Sequence, residues 1–377
     1  MSNFNYDEVL NIKEIKKDIK FWLVRAKSGI FFDEFKNEEY IALGWNYIDN
    51  KNINESDNDK LKFIKEEIER IYNNKQGGTI FNKCDRFINE MNEGDIVMVP
   101  SSENKEILFA TVGAYYEEEK DYTHEVEIIN RIDSKEDYGI EIKCPYKKRR
   151  RIDIIKIIDG NKLNPNLYKA LVSYHGLSNI DKYSKFILSS IYNLYIYEGK
   201  LNVVLNIEEE KGIDARDFSG LIYSISNLLS IQDDKIKITT RANINSPGDL
   251  VITIQECANN IYNYIRDNWF VFILIYGAVA GIKIGPLDMP SITTTILNVL
   301  KHRTDKKEQE AKIQSIKIDN ELKKFELEIK KKGLNKEKLS CIEENVTSIK
   351  EKATNLNINK KDSCNIINVN FGKINDE

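Results

Sequence analysis

Five consecutive cations, Lys147, Lys148, Arg149, Arg150 and Arg151, stand in a chain whose 56 Lys and Arg are outnumbered by 60 Asp and Glu, for a formal net charge of −4. An acidic chain binds nucleic acid only through a local patch, and a basic cluster of this kind neutralises phosphates with a steep dependence on salt. Lys143 and Lys156 extend the run, and Tyr146 sets an aromatic ring beside it. The plain alternative is a solvated turn paired with Glu117, Glu118 and Glu119, because charge runs usually face water.

Other chemistries find little footing. The five cysteines, Cys84, Cys144, Cys257, Cys341 and Cys364, are scattered and form no Cys-x-x-Cys pair, so free thiols in a reducing compartment are expected. Three histidines, His124, His175 and His302, are too few and too dispersed for a His-based metal site or a Ser-His couple. No phosphate-binding glycine loop and no Gly-x-Ser-x-Gly elbow occurs. Glu141-Ile142-Lys143 with Asp133 or Asp137 upstream fits half of a metal-dependent nuclease pattern. The same triplet form recurs at Glu14, Glu34, Glu321 and Glu328, which is chance in a chain this rich in Glu and Lys. No metal, no cofactor and no catalytic residue is expected.

The elements that must position the basic run are short. Residues 21–26 (FWLVRA), 40–45 (YIALGW), 96–99, 107–116 and 149–158 read as strands, and residues 124–132 alternate well enough for another. Residues 31–36 make a helical turn. Leu61, Ile64, Ile68 and Ile71 recur at helical spacing over 57–72, with Gly77-Gly78 as a break before a further helix over 81–91. Many short strands with few helices imply a curved sheet or small barrel. Residues 164–192 follow as a helical appendix.

Residues 201–255 read as strand, helix, strand, strand. The helix begins at Asp214 and turns Phe218, Leu221, Ile222, Ile225, Leu228 and Leu229 inward, and residues 245–248 make a turn before the last strand. Residues 269–282 carry no charge. A membrane-spanning helix needs about 20 apolar residues, so a buried core helix is the first reading, with an oligomer-forming or membrane-inserting segment over 269–300 as the alternative. In residues 301–332, with 11 basic and 7 acidic side chains, Ala311, Ile318 and Phe325 recur every seventh position, a short coiled-coil signal. A further helix is expected over 336–356.

The ordered segments FWLVRA, IALGW, CDRFINEMNEGDIVMVPSS and ILFATVGAYYEEE carry a resemblance. Together they resemble the PUA-like, EVE-related domain found at the N-terminus of some Mrr-type restriction endonucleases and related bacterial defence proteins, over about residues 18–135. The resemblance implies reading of DNA, often with a modified base held in an aromatic pocket after leaving the stack. The residues matching the family's strands are Trp22, Arg25, Trp45, Gly94, Asp95, Ser101 and Tyr115. Among them Trp45, Tyr115 and Ser101 are the implied pocket members and Arg25 the implied phosphate or base contact. The nuclease region of those relatives has no counterpart in the second half.

The sequence thus sets out an α+β chain in four parts: a PUA-like curved sheet or small barrel with flanking helices (1–160), a helical linker (161–195), a small α+β domain with the apolar segment (196–300), and a charged helical tail (301–377). The expected function is a cytoplasmic DNA-binding sensor, reading modified or invader DNA, whose second half oligomerises or acts as effector. The expected partners are DNA and further copies of the chain. The alternative is a membrane-active or scaffolding protein working through residues 269–300.

Overall fold

A computed structural model describes residues 10, 12–54, 57–134, 142–172, 176–209, 212–233, 235–242, 248–256, 260–280, 334 and 336–359. The chain divides into two compact units. One is Asp18–Ile191; the other joins Met1–Lys17 to Tyr192–Glu377. Strand β1 (Lys13–Ile15) belongs to the second unit, and residues 161–191 cluster with the first.

The first unit runs β2 (Phe21–Val24), α1 (Phe32–Asn37), β3 (Tyr40–Leu43), α2 (Asn50–Asn54), α3 (Asn58–Ile71), α4 (Gly77–Asp85), β4 (Ile96–Pro100), β5 (Glu106–Glu117), α5 (Tyr122–Asp133), β6 (Lys148–Asp159), α6 (Pro165–Leu171), β7 (Leu177–Asn179) and α7 (Ser184–Ile191). Its sheet has the order β3-β6-β5-β4-β2-β7, with β2 and β4 parallel and the other neighbours antiparallel. β5 and β6 are 12 residues each, and their pairing shifts register at Phe109/Ala110 and at Val112/Tyr115. Irregularities of this kind bend strands and add twist, and the sheet curls into a half-barrel. Trp22, Phe35, Ile41, Ile68, Phe87, Val97 and Leu108 belong to one buried core cluster packed on it.

Two of the expected elements differ. Residues 124–132, read as a strand, are the helix α5, capped by Asp121, whose carboxylate accepts from the His124 N–H at 2.7 Å. Gly77, read as a helix breaker, opens α4 instead, and a π-helical turn (Arg86–Glu90) continues it.

The second unit adds β8 (Leu194–Tyr197), β9 (Lys200–Ile207), α8 (Ala215–Leu229), β10 (Lys237–Ala242), β11 (Gly248–Glu256), α9 (Ile261–Val279) and α10 (Lys336–Asn355). The sheet order is β1-β8-β9-β11-β10. Asp214 caps α8 by accepting from the Arg216 and Asp217 N–H groups, and Leu221, Ile225, Leu228 and Leu229 face the core. α9 is buried from Asn268 to Val279, so this part of the apolar run supplies core and not free surface for a membrane or a second copy. No described helix is long and apolar enough to cross a membrane. Residues 281–300, the heptad segment 301–332 and the turn at 243–247 lie outside the described residues.

Candidate functional site

The two strand tryptophans meet different fates. Trp22 is sealed in the core, and its indole N–H donates to Asp95 Oδ2 at 2.8 Å. The Asp95 carboxylate also accepts from the Lys20 and Asn92 N–H groups, which makes Gly94-Asp95 a structural turn. Trp45 is only half-buried. It sits just past β3 with φ +63°, a conformation that for a bulky side chain is an outlier.

The local backbone shows what holds that conformation. The Trp45 and Asn46 N–H groups donate to the two oxygens of the Glu125 carboxylate, at 2.5 and 2.6 Å. The Tyr72 hydroxyl donates to Glu125 Oε2 at 2.8 Å and itself accepts from the Tyr47 N–H at 3.1 Å. Three successive amides therefore converge on one carboxylate and its tyrosine partner, a backbone nest of the kind that binds anions, here filled from within. On the other side the Lys148 ammonium donates to the carbonyls of Trp45 and Ile48, at 2.8 and 2.7 Å. Asn46 locks the turn by donating to Pro145 O and Asp121 O and accepting from the Lys147 N–H.

Glu125 is 3% exposed and Lys148 0%. Burial raises the Glu125 carboxyl above its ordinary range, and the Lys148 charge together with the amide and tyrosine donors pulls it back. Gly44 lets the backbone pass this close, since a Cβ there would lie 2.7 Å from Glu125 Oε1.

Trp45 lines a recess of about 610 Å³, within the roughly 300–1,000 Å³ of small-molecule sites. The end of β3, the end of α3, one face of α5, Tyr146 and the loop after β2 form its walls. Tyr72 and Tyr146 add aromatic surface. Arg25 and Lys27 bring two cations, and Glu125 and Asp133 two carboxylates, so the lining is close to neutral. Lys27 is ion-paired to Asp133 at 2.9 Å, and the Arg25 guanidinium donates to the Leu171 carbonyl.

Non-glycine residues of positive φ gather here: Lys27, Ser28, Trp45 and Asn73 all line the recess. Each such residue stores of order 1–3 kcal/mol of strain, which persists only where the surroundings over-determine it.

Of the residues singled out in the sequence, Arg25 and Trp45 share this recess. Ser101 and Tyr115 do not line it. The Ser101 hydroxyl accepts from the Glu106 N–H at 2.8 Å and closes the β4–β5 turn. Gly29 packs on that turn so closely that a Cβ would fall 2.0 Å from Ser102 N, and its φ is +95°. Tyr115 donates to Glu117 and lies under the Arg150 guanidinium, 5.4 Å from ring to charge.

The basic run is not the open phosphate patch that its composition suggests. Lys148 is spent on the Trp45 turn. Arg149 pairs with Glu118 at 2.6 Å and stacks on Tyr40 at 4.2 Å. Arg150 donates to the carbonyls of Phe87 and Ile88, both at 2.9 Å, which the end of the π-helical turn leaves open. Lys147 is held between Asp49 and Glu117. Arg151 is exposed, over the Tyr116 ring. Glu125 and Tyr72 went unread as site residues because their sequence neighbourhood carries no motif, and Tyr146 stood out only as the aromatic beside the basic run.

The fold and site together define an α+β unit with a strained, aromatic-walled recess beside a curled sheet. Residues 20–139 match the family model described as a domain of unknown function, DUF8426. That span carries Arg25, Trp45 and Glu125, and ends before Lys148. No curated protein matches the chain, and no solved structure does.

Proposed function

We propose that residues 18–191 form a nucleic-acid reader that takes one extruded base of DNA into the recess and stacks it on Trp45. The observation that carries this reading is the clamp of Glu125 and Lys148 on the Trp45 turn, which holds a bulky aromatic in a left-handed conformation where it lines a near-neutral cavity. A neutral lining suits an uncharged planar group better than a phosphate. Aromatic stacking contributes about 1–3 kcal/mol per base. The resemblance of residues 18–135 to PUA-like, EVE-related domains of defence proteins favours DNA as the carrier of that base, with modified or invader DNA as the target. The second unit, with the heptad pattern of residues 301–332, is the part proposed to turn binding into a response by self-association.

The test is a gel-shift panel of plain, methylated and hydroxymethylated duplexes at two salt concentrations, with wild type and Trp45→Ala. The variant is expected to lose discrimination among the duplexes and to keep weak, salt-sensitive binding. A variant that discriminates as wild type does removes Trp45 from the pocket role.

A further inference from the structure

A second cavity of residues 18–191, of about 370 Å³, lies between α4 with the π-helical turn and β7. Thr79, Asn82, Lys83 and Arg86 line one side, at the 3-4-7 spacing of a single helix face, while Ile80, Phe81, Cys84 and Phe87 on the opposite face are buried. Ser178 and Asn179 line the other side. Two cations and four hydrogen-bonding side chains thus converge, and among the described residues no acidic side chain lines the cavity.

Two contacts place the cavity beside the recess. The Lys83 ammonium sits 5.5 Å from the centre of the Trp45 ring. Gly176, which borders the recess and approaches Trp45 Cη2, is followed directly by Leu177, Ser178 and Asn179 of the second cavity.

We infer that this groove is the track for the phosphodiester backbone of the strand whose base enters the recess, with Lys83 and Arg86 as the phosphate-neutralising residues. The inference rests on the reading of the recess as a base pocket and names the surface that the basic run of β6 does not provide. The two cavities divide the labour by charge. The neutral one accepts the base, and the cationic one accepts the phosphates flanking it. The Arg86 pairing to Glu90, at 3.9 Å with both side chains about half exposed, is weak enough to exchange for a phosphate.

The test measures affinity against salt for the full chain with a fluorescent, mixed-sequence single strand of about 20 nucleotides carrying 5-iodouracil. Lys83→Gln/Arg86→Gln is expected to bind about tenfold more weakly, with the slope of log affinity against log salt reduced by about 1.4, or about 0.7 per lost phosphate contact. At saturating DNA it should still form the photo-adduct on Trp45. Trp45→Gly should keep the wild-type salt slope and lose the adduct.

A double variant with wild-type affinity and slope, beside a Trp45→Gly protein that binds more weakly, overturns the groove and leaves the base pocket standing. A double variant that loses the Trp45 adduct with its slope unchanged also overturns it, because Lys83 then acts only through the Trp45 ring. Absence of binding by wild type removes both the pocket and the groove. Thermal melting of the double variant within a few degrees of wild type establishes that the helix is intact.

Discussion

Trp22 on β2 and Trp45 just past β3 belong to one half-barrel, and each has a buried carboxylate nearby. Asp95 accepts the indole N–H of Trp22 and so ties down the side chain. Glu125 accepts the backbone N–H of Trp45 and so ties down the main chain while leaving the indole to line the recess. A carboxylate bonded to the ring makes a core residue; one bonded to the amide makes a displayed residue. The first arrangement stabilises the fold, whereas the second holds strain in place.

The largest expected effect separates the two tryptophans by stability. Trp22→Ala deletes a fully buried ring and removes one of the three donors to Asp95, at about 3–5 kcal/mol. Trp45→Gly relieves a positive φ as it loses partly buried area, and should stay within about 1 kcal/mol of wild type in urea unfolding while abolishing base stacking. Equal losses at the two positions would remove the distinction.

Lys148→Met leaves Glu125 buried beside an uncompensated turn, at about 3–5 kcal/mol. Arg151→Ala, from the same run but exposed, should change stability by no more than about 0.5 kcal/mol. Similar small values for both would show that Lys148 is not the clamp.

The smallest effect is one of pH. Burial first, against Lys148 and the amide donors, holds the Glu125 carboxyl above its ordinary 4.5. The folded protein then keeps a proton that the unfolded chain has released. Its contribution to stability is greatest below about 4.5 and declines as pH rises through the raised folded value. Wild type should therefore lose stability relative to Glu125→Gln, which cannot titrate, as the pH rises across that window. A difference that does not vary with pH would mean that burial does not disfavour the Glu125 charge.

Much of the frame was legible. The strands at 21–24, 40–43, 96–100, 106–117 and 148–159 follow from apolar content and turn residues, and α3 and α8 follow from periodicity with Asp caps. β1 and β7 are three residues each and exist only through pairing with distant strands, so no local pattern marks them.

The site was half legible. α5 hides because its inward positions Glu125, Ile129 and Ile132 include a carboxylate, which leaves the apolar residues of 124–132 in near alternation. The β6 cations mislead for the converse reason. Charge density suggests solvent, but their burial is decided by open carbonyls at Trp45, Ile48, Phe87 and Ile88, supplied from other parts of the chain.

The most direct test of the displayed tryptophan is photo-cross-linking to DNA carrying a single 5-iodouracil, with the adduct mapped by mass spectrometry. Stacking on Trp45 predicts an adduct on that residue within the tryptic peptide of residues 37–51. Adducts confined to other peptides, with Trp45 unmodified at saturating DNA, would contradict the account.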